Sequence, residues 1–346
     1  MRLAAAVALT CVLASASAFA NDTTAELAAG GLEFVRNPDV EMRSEQLFVS
    51  AKQVRVTYHF FNTTEKPVTN LVAFPMPDIT VDNPDWNTVI PTEDPVNFLA
   101  FSTQANGQPV TTQVEQKASA MGVDRTAMLQ QLGLPLAPQL KATYDALDAL
   151  PKDKWQQLID LGMAETYEYG TTADGKMTTH LEPRWTLSTT YYWQQTFPPK
   201  QDLVIEHQYT PSVGGSVGTQ VGTPVSTDPQ FAADDKKRVA LYATKYCTDP
   251  AFISAAVQAA QKAKQANKDT LLGEKRIDYI LKTGANWDGP IKDFTLTIDK
   301  GDPANLMSFC GTGVKKLSPT QFQVHYTNYD PITDLAILIL TTNTAQ

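Results

Sequence analysis

Gly214-Gly215-Ser216-Val217-Gly218 has the spacing G-x-S-x-G, in which a strained strand-to-helix turn lifts a serine hydroxyl towards a histidine base. Completed by His207 or His325, it would make the chain a secreted serine hydrolase. The residues that follow, "TQVGTPVSTDP", are not expected to start a helix, so the stretch reads as a flexible glycine loop rather than a nucleophile turn. Histidine is otherwise scarce. His59 and His325 alternate with apolar neighbours and should face outward, whereas His207 shares a face with Leu203, Ile205 and Tyr209. A buried imidazole needs hydrogen-bond partners or loses its charge, so His207 is either a satisfied structural group or one that orients a ligand. His180 and Glu182 lie on one face of a short extended segment and could join His207 around zinc, but the spacing is not diagnostic. Asp78, Asp82 and Asp85 offer calcium-type oxygens without the EF-hand spacing and read as turn acids. No catalytic residue, metal site or cofactor is assigned from these sets.

The aromatic residues are the more suggestive group. Trp185, Tyr191, Tyr192 and Trp193 fall in one strand, and Trp287 lies in a "GANWDG" turn. Neighbours in a strand point to opposite faces. At least one of Tyr192 and Trp193 is therefore either covered by a docked helical segment or exposed as a platform for a sugar or a protein partner. The candidate ligand-binding set is Trp193, His207, Tyr209 and Trp287.

The elements that must position these residues are mostly strands. "VRVTYHFF" alternates, with Val54, Val56, Tyr58 and Phe60 on one face, as a half-buried strand requires. The polar break Asn62 to Pro67 predicts a hairpin into Val68 to Phe74, ended by Pro75 and Pro77, which lack the N–H that pairing needs. Asn106-Gly107 predicts a tight primed turn between Phe98 to Gln104 and Pro109 to Glu115. A further pair is expected at Trp185 to Phe197 and Leu203 to Tyr209. Recurring strands with polar turns indicate a mainly β (α+β) fold, an antiparallel β-sandwich, over residues 21–212. A helical insertion is expected at about 118–162, where Leu140, Tyr144 and Leu147 share a helical face. The Gly/Ser/Pro-rich stretch 213–237 reads as a linker, and 238–346 as a second, smaller α+β domain. That domain would open with a strand at Val239 to Tyr246 and a helix starting at Pro250, with strands at Arg276 to Lys282, Phe294 to Ile298, Leu306 to Cys310, Phe322 to Thr327 and Leu335 to Leu340.

Arg2, the apolar run Leu3 to Leu13 and Ala18-Phe19-Ala20 have the order of a secretory signal peptide over residues 1–20. No later apolar run approaches membrane-spanning length, so no membrane span is expected after cleavage. The formal charge is −9, and loss of Arg2 makes it −10. Such a field repels phosphate backbones, and no basic stripe with interleaved aromatics offsets it, so nucleic acid is not expected as a partner. Cys247 and Cys310 would be the only cysteines left, in a compartment where disulfides persist, and are expected to be bridged.

"NDTTAELAAGGLEF", "VAFPMPD", "YYWQQTF", "HQYTPSVGGS", "TGANWDGPI" and "SFCGTGVKK" together resemble a family of uncharacterised secreted bacterial proteins, domain of unknown function family 4424. The resemblance covers nearly the whole chain past the signal peptide. It implies a bacterial, periplasmic protein and implies no reaction. The sequence thus predicts a periplasmic, non-enzymatic binding or envelope-associated protein with an unknown protein or glycan partner. The competing readings are the serine hydrolase using Ser216 and a carbohydrate-binding module.

Overall fold

The computed structural model describes residues 21–81, 87–171, 175–265 and 272–341. The expected signal peptide and the acids Asp82 and Asp85 lie outside the described residues. In strand Val54–Asn62, Val54, Val56, Tyr58 and Phe60 all point inward, following the period of two. The strand sits inside an eight-stranded sheet ordered Lys315–Lys316, Gln321–Tyr329, Ile291–Asp299, Val40–Ser50, Val54–Asn62, Asp202–Tyr209, Ser102–Ala105, Gln108–Val110. Its neighbour Val40–Ser50 carries a bulge: Met42 pairs with Phe60 but Ser44 with His59, leaving Arg43 as the extra residue. Met42 and Glu45 therefore both face the core although they are three apart.

A six-stranded sheet faces this one, ordered Val123–Asp124, Gln113–Ala120, Thr186–Phe197, Val68–Pro75, Thr23–Ala28, Gly31–Val35. A five-stranded sheet built around Gly273–Tyr279 and Leu335–Thr341 completes the enclosure. One hydrophobic core joins all three, with Val56 and Ile205, Phe74 and Trp193, and Ile277 and Ile337 drawn from the respective sheets. The fold is thus mainly β, a sandwich-like α+β arrangement.

Strand pairing departs from two of the expected hairpins. Val54–Asn62 and Val68–Pro75 belong to different sheets, as do Thr186–Phe197 and Asp202–Tyr209. Each connection is an arch across the core. Periodicity reports which face is buried, not which strand lies alongside. Asn62, fully buried, holds the two arches together, its amide donating to the carbonyls of Lys66 at 2.8 Å and Phe197 at 2.9 Å. The Asn106-Gly107 turn is found as expected, between Ser102–Ala105 and Gln108–Val110. Its residues have φ of 46° and 73°, the left-handed pair that a primed turn needs.

The stretch expected to be a linker is structured at both ends. Val213–Ser216 is a strand paired with Gly273–Tyr279, and helix Pro229–Tyr246 begins with Asp228 accepting from the N–H of Gln230. That helix replaces the expected strand Val239 to Tyr246. Its buried residues, Tyr242 and Tyr246, are four apart, the spacing of one helical face. The expected second domain is not separate either. Ile291–Asp299 lies parallel to Val40–Ser50, and Gln321–Tyr329 pairs beyond it, so C-terminal strands complete the N-terminal sheet.

The helical insertion contains Thr126–Gln131, Lys141–Asp148 and Lys152–Asp160. It runs on through a two-stranded ribbon, Ala164–Thr171 with Met177–Pro183, and has its own core of Leu129, Leu147, Trp155, Leu158, Leu181 and Trp185. Helix Pro250–Gln265 starts as expected, the Asp249 carboxylate accepting from the N–H of Phe252 at 2.7 Å. Cys247 and Cys310 form a disulfide with Cα atoms 5.1 Å apart, joining the end of helix Pro229–Tyr246 to strand Leu306–Phe309. Among the described residues, no helix is long and apolar enough to cross a membrane.

Candidate functional site

The residues expected to form a ligand surface do converge, but inside the sandwich. Trp193, His207, Tyr209 and Trp287 are 2%, 2%, 3% and 0% exposed. The Trp193 and His207 rings lie 5.3 Å apart, and Phe74 packs against both His207 and Tyr209. A platform for an incoming ligand has to be accessible, so this set is core. Trp193 is covered by the opposite sheet and not by the helical insertion; that insertion covers Trp185, whose indole N–H donates to the carbonyl of Leu136 at 2.7 Å. Tyr192, on the opposite face of its strand, is half-buried.

Around His207 is a polar cluster that alternation alone leaves hidden. Its Nε2 meets Asp22 Oδ1 at 2.9 Å and its Nδ1 meets Thr103 Oγ1 at 3.0 Å. The connectivity is that of a catalytic triad, yet the Asp22 and His207 side chains are 0% exposed, so no substrate reaches them. Tyr58 donates to Asn21 Oδ1 and lies 3.1 Å from the hydroxyl of Tyr279. Asn21 Nδ2 donates to Glu45 Oε2 at 2.9 Å, and Trp287 Nε1 to the carbonyl of Asp22 at 2.7 Å. Burial pushes the Glu45 carboxyl up to about 8, with the Asn21 hydrogen bond opposing the shift and the Asp22 charge adding to it. Burial also raises Asp22, against the pull of His207. Of this cluster the sequence pointed to His207. Glu45 was legible in principle, since it alternates with Leu47 and Val49 once the strand is recognised.

The other ring and hydroxyl candidates are satisfied elsewhere. Ser216 ends a strand, its hydroxyl donating to the carbonyl of Gly218 at 2.9 Å and accepting from Arg276 at 3.1 Å. This strand residue is not the expected loop serine, and it is no nucleophile turn either, since neither imidazole of the hydrolase reading is bonded to it: His207 is engaged as above and His325 pairs with Asp293 at 3.0 Å. His180 meets Asp148 at 2.5 Å while Glu182 pairs with Arg184, so the three residues weighed as zinc ligands and not assigned are each engaged with other partners. Among the described residues no group of three or more His, Cys, Asp or Glu could hold a metal ion. Asp78 accepts from the hydroxyl of Ser188 at 2.6 Å, the behaviour of a turn acid.

An accessible groove of about 560 Å³ lies on the outer face of the eight-stranded sheet and crosses six strands. Register builds it from two cross-strand rows. One runs Thr295, Gln46, Thr57, Glu206, Gln104; the other runs Gln323, Thr297, Phe48, Arg55, Gln208, Ser102. Each outward residue alternates with an inward one, so Gln46 and Phe48 flank Leu47, and Glu206 and Gln208 flank His207. The surface is dominated by amides and hydroxyls, each able to donate and accept. Its charges in these rows are one of each sign, Arg55 and Glu206, and the Arg55 guanidinium lies over the Phe48 ring at 4.8 Å. Sequence reasoning missed this face because polar residues at alternate positions look like any solvated side of a strand; the signal was that so many were Gln or Thr rather than Lys or Glu.

A search of curated proteins returns no match. Among solved structures, a crystal structure of a "putative nutrient binding protein" from Legionella pneumophila subsp. pneumophila str. Philadelphia 1 is similar at 13% identity with a TM-score of 0.40, covering 94% of this chain and 71% of that one. The family model described as "Domain of unknown function (DUF4424)" matches residues 20–338, which span the arches, the helical insertion, the disulfide and both faces of the eight-stranded sheet. By that match the chain belongs to the DUF4424 family.

Proposed function

We propose that the protein is exported to the periplasm and acts there as a non-enzymatic binding protein of the cell envelope, holding a neutral, polyhydroxylated ligand such as a glycan in the outer groove. The observation that carries this reading is the chemistry of the two rows. Gln46, Gln104, Gln208 and Gln323 with Thr57 and Thr297 offer paired donors and acceptors at strand spacing, which suits the alternating hydroxyls of a sugar chain. A charged ligand would need an uncompensated opposite charge, and Arg55 and Glu206 offset each other. Phe48 supplies one apolar patch for a sugar face.

Because the tryptophans described above are buried, calorimetric titration of a glycan panel is a better readout than intrinsic fluorescence. At least one oligosaccharide should bind, and Thr297→Arg, which places a long side chain on the second of the six strands of the groove, should weaken it at least tenfold, about 1.4 kcal/mol. The reading fails if the panel is silent, or if the folded Thr297→Arg variant binds as tightly as the parent.

A further inference from the structure

Asn21, Asp22, Thr23 and Thr24 are consecutive polar residues, each at most 1% exposed. A polar segment is buried at such cost only when its groups are paired, and here the pairing is incomplete in one respect. The cluster holds two fully buried carboxylates, Asp22 and Glu45, against one imidazole, His207. With both carboxyls ionised and that imidazole protonated the enclosed charge would be −1, and burial accordingly raises both carboxyls, so full ionisation calls for a further cation. Asp22 Oδ2 and Glu45 Oε1 also lack any hydrogen-bond partner. The remaining neighbours, Asn21, Tyr58, Thr103, Tyr279 and Thr283, are neutral. A single cation with spare N–H donors beside Glu45 would correct both deficits.

We propose that the peptide bond between Ala20 and Asn21 is hydrolysed, and that the new α-ammonium of Asn21 is a structural ion sealed in the core with Glu45 as its counter-charge. Water adds to the carbonyl of Ala20, the C–N bond breaks, the leader departs as a carboxylate, and the Asn21 nitrogen takes up protons to become an ammonium. A membrane signal peptidase supplies the catalysis, and Ala18-Phe19-Ala20 supplies the small-x-small recognition.

The geometry is already in place. The backbone nitrogen of Asn21 donates to Thr283 Oγ1 at 2.6 Å, and the same hydroxyl donates back to the Asn21 carbonyl at 2.7 Å. A peptide N–H has one donor and spends it there; an ammonium has three. The side chain of the same residue donates to Glu45 Oε2 at 2.9 Å, which leaves Glu45 Oε1 free for the ammonium. Gly284 leaves the room, because a Cβ there would lie 2.7 Å from Asn21 Nδ2. Export would then be coupled to stability: the chain gains its last core ion pair only when the leader has gone.

The test uses full-length protein recovered from the periplasm, whose first residue by intact mass and terminal sequencing should be Asn21. A second form that retains one alanine before Asn21 should melt lower by roughly 5 °C, the scale expected for losing one partner of a buried pair. Glu45→Gln should lower the melting temperature of the form beginning at Asn21 and leave the alanine-extended form almost unmoved. A start site elsewhere, an extension without effect, or equal Glu45→Gln shifts in both forms each overturns the proposal. If the Glu45→Gln protein does not fold, amine labelling decides on the parent: the α-amino group should resist reductive methylation in the native state while exposed lysines react, and ready labelling refutes the idea.

Discussion

His207 shows how little a residue's type says about its task. Its pattern in the chain placed it on an inward face, and it is indeed buried, but its partner Asp22 lies 185 residues away, a separation that local pattern cannot reach. Two buried groups that satisfy each other act as a strut, and removing one leaves the other stranded. His207→Ala is therefore expected to destabilise the fold by about 3–5 kcal/mol, measured by urea denaturation, and to be worse than Thr103→Val, which removes a neutral partner. Glu45 was readable from its alternation with Leu47 and Val49, whereas the need to place a carboxylate there became visible only with Asn21 beside it.

At the scale of elements, strands and their inward faces were largely legible and their partners were not. Val56, Tyr58, Ile205 and Trp193 went to the core as their alternation required. The arches at 62–68 and 197–202 were invisible because a turn between sheets and a turn within one carry the same polar residues. Helix Pro229–Tyr246 was hidden by the glycine-rich text ahead of it, although Tyr242 and Tyr246 already had helical spacing. The disulfide was legible because few cysteines were available to pair. It closes 63 residues, so replacing both cysteines by serine should cost roughly 4 kcal/mol from the entropy of the reopened loop. The midpoint of denaturant unfolding under non-reducing conditions measures this directly.

For the molecule as a whole, the expected division into two domains gives way to one shared core. Ile291–Asp299 and Gln321–Tyr329 are strands of the same sheet as Val40–Ser50, and Phe294 and Leu296 pack in the same cluster as Val56. A fragment ending at residue 212 would expose that inner face and an open strand edge. It is expected to be insoluble or to lack a cooperative melt, while the intact protein unfolds in a single main transition; calorimetry of both distinguishes this from two independent units, each of which would melt alone.

The two ends of the eight-stranded sheet are short: Lys315–Lys316 spans two residues and Gln108–Val110 three, with Pro109 in the second. Cationic side chains and a missing N–H deny a visiting backbone the ladder it would need. A broad polar face can thus stay open to solvent while the sheet that carries it does not recruit neighbouring chains into fibres.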